Sequence, residues 1–127
     1  MGEIYREEGN KIKMKLAVTG SRSFKDYESM KSILVKWKIE EIISGGARGA
    51  DTLAERFADE HKIKKVIFKP DYAKYGKKAP LMRNRQIVDY VDRVIAFWDG
   101  ESRGTKYTID YARKNGKKVD VIQSKKE

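Results

Sequence analysis

Ile42-Ile43-Ser44-Gly45-Gly46-Ala47-Arg48-Gly49-Ala50-Asp51-Thr52-Leu53-Ala54 is the stretch that decides the fold, because it passes from an apolar strand through a glycine turn into a helix. The two isoleucines are β-branched and suit a buried strand. Apolar residues then recur at helical spacing, at Ala50, Leu53, Ala54, Phe57 and Ala58. A glycine turn lets a ligand approach the backbone, and the N–H groups that open a helix attract anions. The stretch therefore predicts either a phosphate site or a tight turn whose glycines serve geometry alone.

The rest of the chain repeats this alternation of strand and helix. The predicted strands cover Met14–Thr19, Ile39–Ser44, Lys65–Phe68, Arg93–Phe97 and Val119–Ile122. The first predicted helix follows the N-cap Asp26 and carries Tyr27, Met30, Ile33, Leu34 and Trp37 on one face. The second runs to about Lys62, the third starts at Pro80, and the fourth is stopped by Gly116. This pattern predicts an α/β protein with a five-stranded parallel sheet between two layers of helices, in the strand order 3-2-1-4-5.

Length and composition predict one domain of an intracellular protein. The chain has 127 residues, no cysteine and a single histidine, His61, which excludes disulfides, thiolate catalysis and Cys-rich or His-rich metal sites. We therefore expect no metal. No apolar run approaches the ~20 residues of a membrane span, and no signal-peptide core is present, so we expect a cytoplasmic protein. Residues 13–123 are the predicted domain, 1–12 a flexible leader and 124–127 a tail.

The positive charge is concentrated in the middle of the chain. The formal net charge is +10, and the segment Lys62–Arg85 holds nine basic residues against the single acid Asp71. Tyr72 and Tyr75 lie in a predicted loop within this segment. Such a segment favours a single-stranded nucleic acid or another anionic ligand, with a solvated lysine-rich surface as the alternative.

Three loops meet where the predicted sheet reverses direction between its first and fourth strands. Ligands of such sheets bind beyond the carboxyl ends of the strands at this reversal. The loops are Gly20-Ser21-Arg22, Gly45-Gly46-Ala47-Arg48 and Asp99-Gly100 through Gly104-Thr105. Six of their residues are predicted to cradle phosphate or ribose through backbone N–H groups and hydroxyls: Gly20, Ser21, Gly45, Gly46, Gly104 and Thr105.

Charged residues at the same rim have two interpretations each. Arg22 and Arg48 either bind phosphate or form salt bridges along the rim. Asp51 contributes to the site or only stabilises the first turn of its helix, by ~0.3–1 kcal/mol. Arg83 and Asn84 reach the pocket or a second subunit, and Asn84 has neighbouring backbone as an alternative partner. Trp98 stacks on a base or packs internally.

These motifs together resemble the SLOG superfamily, which groups the DNA-processing protein DprA (Smf) with the LOG phosphoribohydrolases. The matching runs are Thr19-Gly20-Ser21-Arg22, Ser44 through Asp51, Arg83-Asn84-Arg85 and Asp99-Gly100-x-Ser102-x-Gly104-Thr105. The small single-domain YspA or cpYpsA-related branch is the most similar, over roughly residues 14–122. The resemblance implies a Rossmann-like three-layer sandwich that binds nucleotides or nucleotide-derived ligands, and it implies no single reaction.

The resemblance also exposes one departure. LOG hydrolases carry a Pro-Gly-Gly-x-Gly-Thr-x-x-Glu run whose Glu serves catalysis, and the corresponding position here is Thr108. If the protein is an enzyme, Asp99 or Glu101 is the candidate catalytic carboxylate, with Asp110 as a further source.

Three functions follow as expectations. The leading one is binding of a nucleotide or an ADP-ribose-like molecule, as a sensor or processing protein. The second is hydrolysis of a nucleotide N-glycosidic bond, and the third is DprA-like binding of single-stranded nucleic acid through Lys62–Arg85. A homodimer is expected because relatives often form one, and Tyr107 and Tyr111 are either helix surface or dimer contacts.

Overall fold

The computed structural model describes residues 13–124, so the predicted leader and residues 125–127 of the tail lie outside the described residues. Within them, five strands alternate with helices along the chain. The strands are β1 (Met14–Gly20), β2 (Ile39–Ser44), β3 (Lys64–Ile67), β4 (Arg93–Trp98) and β5 (Lys118–Gln123). The helices are α1 (Tyr27–Leu34), α2 (Ala50–Glu60), the single turn α3 (Tyr72–Tyr75), α4 (Ala79–Tyr90) and α5 (Arg103–Lys114).

All strand pairs are parallel and follow the order β3-β2-β1-β4-β5, which confirms the predicted topology. β1 is central: its Leu16 pairs with Ile42 of β2 on one side and with Arg93 of β4 on the other. At the other end, Gly20 pairs with Phe97. The loops that follow β1, β2 and β4 therefore leave the sheet side by side.

Each face of the sheet has its own apolar core, because successive side chains of β1 point to opposite faces. Leu16 and Val18 pack with residues of α1 and α2, including Phe57. Ala17 lies on the other face, with Ile87 of α4 and residues of α5. Full burial of each large side chain contributes about 1.5–3 kcal/mol, so helices on both faces hold the central strands in place.

Helix ends differ from the prediction by a few residues. Asp26 caps α1 as predicted and accepts a hydrogen bond from the Ser29 N–H at 3.0 Å. The helix ends at Leu34, before Trp37, although the Trp37 ring still packs against the same core. α2 ends at Glu60 rather than near Lys62.

The basic segment after β3 is not the simple loop that the sequence predicted. The Asp71 side chain accepts a hydrogen bond from the Lys74 N–H at 3.1 Å and so starts the helical turn α3. Gly76, at a φ of 56°, follows it and opens a 3₁₀ turn, residues 76–78. α4 then starts at Ala79, with Pro80 in its first turn.

Within residues 13–124, no helix combines the length and the apolar character that a membrane span requires.

Candidate functional site

A cleft of about 410 Å³ opens where the β1–α1 and β4–α5 loops meet. It lies at the carboxyl ends of β1 and β4, where the sheet reverses direction. Its lining residues are Ser21, Arg22, Ser23, Asp99, Ser102 and Gly104. The sequence singled out four of them as ligand-binding residues, and Ser23 and Ser102 are additions from the structure.

Ser21 ties the loops around this cleft together. Its N–H donates to the Phe97 carbonyl at 3.0 Å, and its hydroxyl accepts from the Asp99 N–H at 3.1 Å. Its carbonyl accepts from the N–H of Ala50, the first residue of α2, at 3.3 Å. The side chain is only 2% exposed. Ser21 therefore fixes the positions of all three loops relative to one another.

Two glycines allow this close contact of backbone with backbone. A Cβ atom on Gly20 would lie 2.5 Å from the Phe97 carbonyl oxygen. Gly49 has a φ of 76°, and a Cβ there would collide with the carbonyl oxygens of Ser21 and Arg22. Both positions therefore require glycine for packing.

The glycine turn between β2 and α2 already holds an anion, the carboxylate of Asp51. This carboxylate accepts hydrogen bonds from the N–H groups of Gly45 at 2.9 Å and Ala47 at 3.2 Å. The side chain is 6% exposed. Burial raises the pKa of Asp51, and the two N–H groups and the charge of Arg83 oppose that increase. The Gly46 N–H donates to the Ser44 hydroxyl at 3.3 Å, so the three N–H groups of Gly45, Gly46 and Ala47 are occupied from within the protein.

Arg83 of α4 closes the other side of the same turn. Its Nη1 donates to the carbonyls of Gly45 at 2.5 Å and Phe68 at 3.4 Å, and its Nε donates to the side-chain oxygen of Asn84 at 2.9 Å. A Cβ on Gly45 would lie 2.8 Å from the Arg83 Cζ. Burial lowers the pKa of this guanidinium, while the nearby Asp51 favours its charged form. Arg83 therefore holds the turn, and Asn84 orients Arg83.

The β4–α5 loop is built around Asp99 and Ser102. One carboxylate oxygen of Asp99 accepts the N–H groups of Glu101 and Ser102, both at 2.8 Å, and these bonds hold the pKa of Asp99 below its usual value. Ser102 caps α5, since its hydroxyl accepts from the Thr105 N–H at 3.4 Å. Thr105 is buried and its hydroxyl lies 3.0 Å from the Ser102 hydroxyl.

The same loop also places Trp98 and Gly100. The Trp98 ring nitrogen donates to the Ser102 carbonyl at 3.0 Å, which is an internal contact. Gly100 has a φ of 85°, a conformation that favours glycine. An Asp, a glycine and a Ser ahead of a helix are a sequence signal for this capped turn, and that signal could have identified Ser102.

A few groups at the cleft have no partner among residues 13–124. The N–H groups of Arg103 and Gly104, in the first turn of α5, find no acceptor there. No heavy atom lies within 4 Å of a Cβ placed on Gly104. Arg22 is exposed at the cleft, and Arg48 is exposed on the glycine turn; neither side chain forms a hydrogen bond or ion pair in the described part of the chain. These groups are the ones available to a ligand.

The other candidate carboxylates lie outside this arrangement. Glu101 is exposed beside the cleft, and Asp110 pairs with Lys106 at 2.7 Å on the surface of α5. Thr108, at the position of the LOG glutamate, is buried and donates its hydroxyl to the Gly104 carbonyl at 3.0 Å. Among residues 13–124, no three His, Cys, Asp or Glu side chains are grouped closely enough to hold a metal ion.

The basic segment Lys62–Arg85 does not form one surface. Lys64 pairs with Glu41 at 3.6 Å and Lys65 with Asp59 at 3.0 Å. Arg83 faces the glycine turn, and Arg85 donates to the Tyr107 hydroxyl. The lysines that remain exposed around α3, without an ion pair in the described part of the chain, are Lys69, Lys74, Lys77 and Lys78.

Comparison with known proteins gives a family and a relative. The model of the YspA, cpYpsA-related SLOG family matches residues 14–75. The Gene 61 protein of Mycobacterium phage D29 is 31% identical over 113 residues, which cover 80% of this chain and 90% of that protein.

Solved structures share the fold. DprA from Streptococcus pneumoniae superimposes with a TM-score of 0.72 at 23% identity, covering 88% of this chain. DprA from Helicobacter pylori, solved for its single-stranded DNA binding mode, gives a TM-score of 0.68 at 23% identity, covering 87% of this chain. The present chain spans about half of the first structure (51%) and 66% of the second.

The family match over residues 14–75 contains the β1–α1 loop at the cleft and the glycine turn. The match to the phage protein extends over most of both chains. The chain belongs to the YspA, cpYpsA-related SLOG family.

Proposed function

We propose that this protein binds a nucleotide, or a nucleotide-derived phosphate such as an ADP-ribose-like molecule, in the cleft between the β1–α1 and β4–α5 loops. The observation that carries the proposal is the open first turn of α5. Gly104 has free space where a side chain would lie, and the N–H groups of Arg103 and Gly104 point to no acceptor within residues 13–124.

The positive charge at the cleft favours the binding of a phosphate. The positive end of a helix dipole and free N–H groups favour an anion. Arg22 adds an exposed guanidinium, which pairs with phosphate through two parallel hydrogen bonds. The backbone and Arg22 together supply the donors for one phosphate.

Asp99 is suited to bind the sugar part of a nucleotide. One of its oxygens is occupied by two N–H groups of its own loop. Hydrogen bonds from its own loop and from the Ser21 side chain lower its pKa, so Asp99 is a carboxylate near neutral pH and a strong acceptor for a ribose hydroxyl. A phosphate donor set beside a carboxylate acceptor fits a nucleotide better than inorganic phosphate.

In this proposal the glycine turn has a supporting role. The N–H groups of Gly45 and Ala47 bind Asp51, so Gly45 and Gly46 shape the rim while Arg48 reaches outward from it. Asp51, Arg83 and Asn84 act on the ligand through the shape of this turn. Arg48 contributes charge at the edge of the site.

Calorimetric titration with ADP tests the proposal. We expect ADP to bind the wild type, and Arg22→Ala to weaken it by about tenfold or more, because a charge-assisted pair contributes about 1.5–3 kcal/mol. Lys25→Ala removes an equal charge from the same loop outside the cleft lining and serves as the matched control. Absence of ADP, ADP-ribose and NAD binding to the wild type would refute the proposal.

Hydrolysis of an N-glycosidic bond is the second function that the family suggests. An ionised Asp99 is a poor proton donor, and Thr108 bonds within its own helix. We therefore favour binding without turnover. Chromatographic detection of base release from AMP that is lost in Asp99→Ala would reverse this preference.

Single-stranded nucleic acid is the third candidate, favoured by the exposed lysines around α3 and by the subject of the H. pylori DprA structure. An oligonucleotide ligand would bind with an affinity that falls steeply with salt, whereas ADP would show a shallow dependence. The cytoplasmic location and the homodimer remain predictions, and sedimentation would measure the oligomeric state.

A further inference from the structure

The side of α5 that faces α4 carries two tyrosines close to the cleft. Tyr107 follows Gly104 by one helical turn, and Tyr111 follows Tyr107 by another. Their rings are nearly parallel, at 9°, with centroids 6.4 Å apart. Tyr111 packs against the core that also holds Ala17, whereas Tyr107 belongs to neither of the two cores described above. Core packing therefore accounts for Tyr111 and leaves the Tyr107 ring unexplained.

Arg85 of α4 contacts the Tyr107 ring from the neighbouring helix. Its Nε donates to the Tyr107 hydroxyl, and its Cζ lies 5.8 Å from the Tyr107 ring centroid and 5.4 Å from that of Tyr111. One turn further along, the Tyr111 hydroxyl donates to Asp89 of α4 at 3.0 Å. Since these two contacts are four residues apart on both helices, α4 and α5 run side by side in the same direction.

The next turn toward the cleft has a gap where a third pair of side chains would meet. On α5 this turn holds Gly104, which lines the cleft, and no heavy atom of residues 13–124 lies within 4 Å of a Cβ placed there. On α4 it holds Leu81, four residues before Arg85, and this apolar side chain is 39% exposed. Helical side chains lean toward the N-terminus, so Tyr107 presents its ring to the gap while Tyr111 lies on its other side. The gap is therefore continuous with the cleft and has an aromatic ring at its base.

A flat aromatic group suits this gap, because bases of any type stack on tyrosine rings. We propose that the base of the bound nucleotide stacks on Tyr107, in the groove between α4 and α5, within the space that Gly104 leaves open. This inference rests on the proposed function, in which the phosphate binds the first turn of α5 and the ribose binds Asp99. It makes the ligand a nucleotide that is recognised by its base as well as by its sugar and phosphate.

The test compares ADP with ribose 5-diphosphate, which is ADP without its adenine. Calorimetry should show that the wild type binds ADP about tenfold or more tightly than ribose 5-diphosphate, in line with one base–aromatic stack. Tyr107→Ala should abolish this gain and leave the affinity for ribose 5-diphosphate unchanged. Tyr107→Phe should retain the gain, because the ring and not the hydroxyl stacks.

Tyr90→Ala is the matched control. Tyr90 is also an exposed tyrosine (38%) beside α5's neighbour helix, but it ends α4, and its hydroxyl donates to Glu41 of β2 at 2.7 Å, far along the helix from Leu81. Its removal should preserve the gain.

Equal wild-type affinities for the two probes, or a Tyr107→Ala variant that keeps the difference, would overturn the base site while binding of ribose 5-diphosphate still supports the cleft. Binding of neither probe to the wild type would reject both proposals. Conversion of a dimer to a monomer by Tyr107→Ala, measured by sedimentation, would show that this face of α5 is an interface between copies instead.

Discussion

At the residue scale, Gly49 directly precedes α2 and Gly104 lies in the first turn of α5, yet one is crowded by neighbouring atoms and the other is not. Gly49 touches the backbone of the β1–α1 loop, and a side chain there has no room. Gly104 faces free space at the cleft. The sequence showed two glycines in similar positions, and the distinction came from the neighbours that the fold brings to each.

Substitution of these glycines should therefore have contrasting effects. Gly49→Ala should lower the free energy of unfolding by about 3 kcal/mol or more, since backbone strain at a φ of 76° adds to a collision with Ser21 and Arg22. Gly104→Ala should stabilise the protein by about 0.5 kcal/mol, because alanine is the better helix residue, and should weaken ADP binding by narrowing the cleft. Urea denaturation and calorimetry measure the two effects.

Gly116→Ala is the control for strain without collision. Gly116 also has a φ of 76°, and nothing lies within 4 Å of its Cβ position, so we expect a loss of only about 1 kcal/mol. Equal losses at Gly49 and Gly116 would contradict the packing role of Gly49. An unchanged ADP affinity in Gly104→Ala would contradict the site at α5.

At the scale of elements, the glycine turn depends on two side chains that the sequence placed among the candidate ligand-binding residues. Asp51 of α2 binds the N–H groups of the turn, and Arg83 of α4 binds its Gly45 carbonyl. Residue type and position at the rim suggested both as site residues. The sequence could not show that both side chains bind the turn and not a ligand. Their hydrogen-bond partners depend on how α2 and α4 pack against the sheet.

Removal of Asp51 should destabilise the turn. Asp51→Ala leaves the N–H groups of Gly45 and Ala47 without their acceptor and takes a carboxylate from beside Arg83, so we expect a loss of about 2–3 kcal/mol in the free energy of unfolding. Asp59→Ala, on the same helix, breaks only an exposed pair with Lys65 and should lose less than about 1 kcal/mol. Denaturant unfolding that gives the same loss for both variants would show that the turn does not depend on Asp51.

The elements themselves were largely predictable, and α3 shows why the exceptions arose. Apolar runs such as Ile42-Ile43 and helical spacing after Ala50 predicted the strands and helices to within a few residues. α3 has a single turn and no buried residue, so it leaves no apolar period in the sequence. Its only signal is Asp71, whose side chain caps it.

At the scale of the whole molecule, the strand order decides where the site lies. The order β3-β2-β1-β4-β5 places the loops after β1, β2 and β4 side by side, as the sequence predicted. It was less predictable which of the basic side chains form ion pairs and which stay free. Lys64 and Lys65 pair with Glu41 and Asp59, so part of the basic block is neutralised by residues from β2 and α2. Contacts between distant segments of the chain, and not composition, decide which charges stay free.

In the proposed function, a nucleotide phosphate binds at the cleft between the β1–α1 and β4–α5 loops. The most direct measurement is an amide chemical-shift titration of the ¹⁵N-labelled protein with ADP. We predict that the largest shifts fall on residues 21–23 and 99–105, with Arg103 and Gly104 among the strongest because their free N–H groups meet the phosphate. Absence of shifts at millimolar ADP, or largest shifts on β5 or on residues 69–78, would contradict phosphate binding at this cleft.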